Sequence, residues 1–118
     1  MIDHLTIKAK DFERQAAFYE AALTPLGYAK GVEFPGAVQF AADDGSSVWV
    51  SRADGETTPM HVAFGTKDEE SVKAFHAAGL AAGGTDNGEP GPRPNYGPTY
   101  YAAFVHDPEG NNIEACIH

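Results

Sequence analysis

His4, His61 and Glu114 have the side-chain types of a 2-His-1-carboxylate metal site, which leaves coordination positions open for a substrate or for oxygen. Neutral imidazole and carboxylate hold a divalent ion at roughly 2.0 to 2.2 Å, and three such ligands do not fill its shell. Taken singly, a histidine on a strand is more often a hydrogen-bonded surface or cleft residue, and a glutamate there more often pairs with a base. Their spacing is what joins them. Displaced by 57 positions, His4 falls on His61, Lys10 on Lys67, Asp11 on Asp68, Glu13 on Glu70, Ala17 on Ala74, Phe18 on Phe75, Ala21 on Ala78, Leu23 on Leu80 and Gly27 on Gly84. These identities, in ordered register, describe a duplicated unit. The chain reads as one domain over 1–118 built from modules 1–58 and 59–118. If a pseudo-twofold relates the modules, their first strands come close and both histidines can reach one ion.

The elements that must position these side chains follow from hydrophobic period. Residues 2–9 alternate as a half-buried strand, with Leu5 and Ile7 on one side and His4 and Thr6 on the other. Asp11 reads as a helix N-cap, and Phe12, Ala16, Tyr19 and Leu23 form an apolar stripe over 12–23 that Pro25 and Gly27 end. Strands are expected near 28–34, 37–42 and 47–52, separated by Pro35-Gly36 and Asp43-Asp44-Gly45. The second module repeats this order with a strand at 60–65, a helix at 69–82 and strands near 83–88, 99–106 and 112–117. Each module is therefore β-α-β-β-β, and the fold class is α+β. The stretch 87–98 holds Pro90, Pro92, Pro94 and Pro98 and is expected to be mostly an inserted loop. At the last turn Gly45 matches Gly110, an offset of 65, so the second module has gained eight residues.

Alternation also sorts the faces. Asn112, Glu114, Cys116 and His118 share one side of the final strand, while Ile113, Ala115 and Ile117 must meet a helix. Leu5 and Ile7, with Val62 and Phe64, face the helices for the same reason. His4, His61 and Glu114 are left together on the opposite face.

A formal charge of -9, with eight scattered basic residues, argues against a nucleic-acid partner. No apolar run approaches the roughly 18 to 20 residues that span a bilayer, and no signal-peptide pattern opens the chain, so a cytoplasmic protein without a membrane partner is expected. Cys116 is the only cysteine, which excludes an intrachain disulfide and a paired-cysteine zinc site. Phosphate-binding Gly-rich loops and a G-x-S-x-G elbow are absent. His76 is expected to be exposed on its helix, His106 to support the turn that follows it, and Cys116 to be a small buried hydrophobe.

With those residues in place, HLTIKAKD, HVAFGTKD and the closing FVHDPEGNNIEA resemble the metal-bearing segments of the vicinal-oxygen-chelate superfamily. That superfamily joins glyoxalase I, extradiol dioxygenases, fosfomycin-modifying transferases and bleomycin resistance proteins. The resemblance covers nearly the whole chain, and D-P-x-G-N-x-I-E is its most specific part. It implies two βαβββ modules forming a curled eight-stranded mixed sheet with helices outside and a metal cleft within. It implies His4, His61 and Glu114 as ligands of a divalent ion (Fe, Mn, Zn, Ni or Co), a small-molecule substrate with vicinal oxygens, and a homodimer. In a swapped dimer His4 would come from one subunit, and His61 with Glu114 from the other.

One departure narrows the reading. Lactoylglutathione lyases of this superfamily add a fourth ligand, a carboxylate on the last strand of the first module. Here the repeat sets Trp49 against Glu114, and an indole cannot ligate. The pattern looks more like a three-ligand dioxygenase than a true glyoxalase I; the alternative is a non-catalytic ligand-binding protein of the bleomycin-resistance type. Trp49 would wall the pocket for an organic ligand. Tyr96, Tyr100 and Tyr101 could rim it, with only one of the adjacent pair facing inward, or could pack beneath the loop. Arg93 would either meet an anionic substrate group or stay solvated. No residue is assigned as the catalytic acid or base.

Overall fold

The computed structural model describes residues 1–118, and alternation sets its first element. Strand β1 (His4–Ala9) buries Ile7 and Ala9 and leaves His4 and Thr6 outward. Helix α1 (Phe12–Leu23) begins at Asp11, whose carboxylate accepts from Arg14 N at 3.3 Å, and it buries Phe18, Tyr19, Ala22 and Leu23. A 3-10 turn over Thr24–Leu26 with Pro25 ends at Gly27, where φ is 93°, a left-handed value that glycine adopts without a Cβ penalty. Strands β2 (Ala29–Phe34), β3 (Ala37–Ala41) and β4 (Ser47–Arg52) complete the first module. The second module repeats the order with β5 (His61–Gly65), α2 (Glu69–Ala81), β6 (Thr85–Pro92), β7 (Tyr101–His106) and β8 (Asn112–Ile117). Asp68 caps α2 by accepting from Ser71 N at 2.8 Å.

Each module makes a four-stranded mixed sheet, in the orders β1-β4-β3-β2 and β5-β8-β7-β6. The eight strands thus divide into two sheets, with no strand of one hydrogen-bonded to a strand of the other. In both, the first strand runs parallel to the last and stands at an edge. Register preserves the repeat: Thr6 stands beside Trp49 and Ala63 beside Glu114, each the third residue of its module's first strand. The helices cover one face of the sheets and pack on each other, and one core runs through both modules, including Ile7, Val50, Phe18, Phe75, Val105 and Ile113. The opposite faces, bearing the three candidate ligands, carry no helix.

The segment 87–98 departs from the expected loop, because β6 continues through Pro92. Two properties make this possible. β6 is an edge strand, so ladder bonds are needed on one side only, and its pairing with β7 shifts register between Asp86 and Gly88 and between Gly88 and Gly91. Arg93 then braces the bulged strand. Its guanidinium donates to Glu89 O at 2.7 Å and Gly91 O at 2.9 Å, and lies 5.4 Å from the centre of the Phe104 ring.

Between α2 and β6 the chain passes through a place that admits only glycine. A Cβ on Gly84 would lie 2.6 Å from Val105 Cγ1, 2.7 Å from Phe18 Cε1 and 2.8 Å from Gly79 O. Two of those neighbours are core side chains and the third is helix backbone. Gly84→Ala is therefore expected to destabilise by about 1–3 kcal/mol through overpacking, read as a lower urea midpoint at unchanged slope; an unchanged midpoint would show that the core yields there.

Candidate metal centre

The parallel pairing of β5 with β8 builds the site. Because Ala63 stands beside Glu114, His61 lies two residues back on the same face, and its side chain reaches diagonally to the carboxylate. His61 Nε2 is 2.9 Å from Glu114 Oε2. Glu114 is 3% exposed, whereas the His61 side chain is 52% exposed. A buried carboxylate is thus held beside an imidazole that solvent can still reach. Tyr100, just before β7, donates its phenol hydrogen to Glu114 Oε1 at 2.6 Å. This bond to Glu114, then the neighbouring Cys116 thiol and burial, push the Tyr100 phenol well above its ordinary pKa, so it remains a donor. The Tyr100 ring stacks on His118 at 5.4 Å and takes the edge of Tyr96 at 5.5 Å. Cys116 is buried as expected, and that burial raises its thiol pKa.

His4 stands elsewhere. Its side chain is 58% exposed on the open face of the first sheet, with Nδ1 2.8 Å from Asp3 Oδ1. Within the chain no three His, Cys, Asp or Glu side chains are arranged to hold an ion. The donor set of His61 and Glu114 nevertheless suits a divalent ion, since a borderline nitrogen and a hard oxygen sit side by side at an accessible surface. They supply two of three expected ligands.

On the same face as His4, Trp49 is half-buried and stacks on Phe34, with ring centroids 6.2 Å apart and planes 9° from parallel. Phe34 is 59% exposed and was not singled out by its sequence. The signal was present in pairing arithmetic: Phe34 pairs with Ala37, Gln39 pairs with Trp49, and alternation puts all four on one face. Thr6 and Lys8 follow His4 on β1 and line a cavity of about 370 Å³ with Thr57, Thr58 and Asn111.

The remaining candidates separate. Of the adjacent tyrosines only Tyr100 meets a candidate ligand, Glu114; Tyr101 pairs with Ile117 and packs against the helix-side core. Tyr96 is exposed at the edge of Tyr100. Arg93 is committed to backbone carbonyls and to Phe104 rather than directed at an anion or left solvated. His76 is not exposed as expected: its side chain is 12% exposed, and its Nε2 lies 2.8 Å from Asp86 Oδ1, because the start of β6 passes alongside α2.

Asp107 is the residue that sequence reasoning missed. It is buried in the turn between β7 and β8, where Oδ1 accepts from Glu109 N and Asn111 N, both at 2.9 Å. Oδ2 accepts from Asn111 Nδ2 and Gln15 Nε2, both at 2.8 Å, and from the Tyr19 hydroxyl. Glu109 reaches the same helix, accepting from Lys10 N at 2.9 Å and Asp11 N at 2.8 Å. The closing turn of one module is thereby fastened to the helix of the other. Burial, then the Asp107 charge, raise the Tyr19 phenol pKa far above its usual value.

Comparison with known proteins agrees with this fold. Residues 4–116 match the family described as glyoxalase-like domain. Among solved structures, a glyoxalase/bleomycin resistance protein from Albidiferax ferrireducens is 30% identical with a TM-score of 0.84, covering 98% of this chain and 97% of that one. A lactoylglutathione lyase from Agrobacterium tumefaciens is 22% identical with a TM-score of 0.72, over 98% and 92%. A glyoxalase/bleomycin resistance protein/dioxygenase family enzyme from Burkholderia phytofirmans is 17% identical with a TM-score of 0.74, over 97% and 95%. The latter two likenesses speak to fold alone. No curated protein matches.

Proposed function

The chain belongs to the glyoxalase-like domain family, and from that premise we propose that it is a metal-dependent enzyme acting on a small molecule with two adjacent oxygens. The observation that carries this reading is the pair formed by half-exposed His61 and buried Glu114. His4 is the third ligand, donated by a second copy in a homodimer. Three facts support that assignment: His4 holds the repeat position of His61, it lies on the uncovered face of its sheet, and β1 and β5 both run along sheet edges. Imidazole and carboxylate serve Fe, Mn, Zn, Ni or Co alike. A divalent ion so held supplies Lewis acidity to the paired oxygens of the substrate.

The chain's own residues then divide the remaining work. Trp49 and Phe34 form an aromatic wall, and Tyr100 supports Glu114. Because Trp49 stands where a fourth ligand would be, the site keeps its positions open for substrate and oxygen. Dioxygenase-like chemistry fits that better than a lactoylglutathione lyase does. A second reading has its own support: the Phe34–Trp49 stack, half-open to solvent, suits a protein that binds an aromatic ligand without reaction.

Metal analysis after saturation with Fe, Mn, Zn, Ni and Co separately tests both the ligand set and its sharing. Wild type is expected to retain an ion, and His4→Ala and His61→Ala to lose it. When the two variants are mixed and allowed to exchange, about a quarter of the sites should return, because each mixed dimer holds one site with all its ligands. No recovery would place the ligands within one chain. A wild type that retains none of these ions would leave the binding-protein reading.

A further inference from the structure

We propose that Tyr100 is a positioning residue for the metal centre, its phenol occupying one carboxylate oxygen of Glu114 so that only the other is presented to the ion beside His61. The inference rests on Glu114 being a ligand. A glutamate can offer a divalent ion one oxygen or two, and which it offers changes the number of positions left for substrate. Here the choice is made by the surroundings. Oε1 lies 2.6 Å from the Tyr100 hydroxyl, while Oε2 lies 2.9 Å from His61 Nε2. The carboxylate therefore has one oxygen taken by the Tyr100 phenol and the other directed at His61, the second candidate ligand, whose side chain is half-exposed.

Tyr100 is itself held. His118 stacks on its ring with planes 7° from parallel, and Tyr96 presents an edge at 76°. These contacts restrict the ring from two directions, so the hydroxyl direction is set before any ion arrives. The repeat supplies an independent observation. At the offset that sets Trp49 against Glu114, Tyr100 stands against Pro35. The module with the carboxylate has the phenol, and the module without it has neither.

The test uses cobalt(II) as the probe. Tyr100→Phe keeps the ring that packs on His118 and Tyr96 and removes only the hydroxyl. Its affinity for cobalt(II) is expected to fall about 10–100-fold, the range for loss of an outer partner of a ligand. The visible absorption of the bound cobalt should change as well, because a freed carboxylate can close onto the ion with both oxygens. Equal affinity and an identical spectrum would overturn the proposal. Infrared difference spectra of wild type, before and after loading, read the same point without any variant: one-oxygen carboxylate binding is expected, and two-oxygen binding refutes it. A wild type that binds no cobalt(II) and none of the other ions would instead remove the metal reading on which the inference stands.

Discussion

Glu114→Gln is expected to abolish the stabilisation that a divalent ion gives this protein while leaving the metal-free protein nearly unchanged. The amide keeps the shape of the side chain. Its oxygen can still accept from Tyr100, and its NH2 can donate to His61, so the metal-free chain should shift by no more than about 1 kcal/mol. Affinity for the ion should fall by more than the ~10–100-fold assigned to an outer partner, since a ligand itself is lost. Urea unfolding with and without metal separates these effects. At free metal near 100 times its dissociation constant, wild type should gain about 2.7 kcal/mol and the variant almost none. A variant that gains as much as wild type would take Glu114 out of the ligand set.

The largest loss of stability is expected from Asp107→Ala. The carboxylate is buried and accepts five hydrogen bonds, of which those from Gln15 and Tyr19 come from fully buried side chains on α1. Alanine leaves these buried donors without their acceptor, and each unsatisfied donor costs about 1–3 kcal/mol. A total near 3–5 kcal/mol follows, a large share of the 5–15 kcal/mol typical of a domain. A double-mutant cycle with Tyr19→Phe isolates the cross-module bond: losing the Tyr19 hydroxyl should matter in wild type and much less once Asp107 is gone. An Asp107→Ala chain within about 1 kcal/mol of wild type would mean that water takes over these contacts.

What could be read in advance, and what could not, differs by the range of the interaction. His4, His61 and Glu114 were assignable to faces because period-two alternation is local and the apolar partners Leu5, Val62 and Ile113 leave no other choice. The equivalence of Trp49 and Glu114 was legible by offset, and the strand registers agree with it. β6 runs on through Pro92 although proline usually ends a strand, and only the edge position and shifted register explain the exception. Asp107 looked like a turn residue because Gln15 and Tyr19 are about ninety positions distant, and nothing in local spacing brings them there. Arg93 presented the same difficulty in smaller compass. Its partners are nearby carbonyls freed by a bulge, which no pattern of residue types announces.

The fastening of the last turn to the first helix also bears on how the chain acquires its structure. Glu109 and Lys10 are 99 positions apart, so α1 emerges from the ribosome long before the carboxylate that completes its N-terminus has been made. Closing a loop of that length is among the costlier steps in chain entropy and belongs to slow folding topologies. The first module must wait, with its helix start solvated, until the turn preceding the last strand has been synthesised. Released chains ending before residue 107 should therefore be open to proteases at α1, where the full chain is expected to be protected.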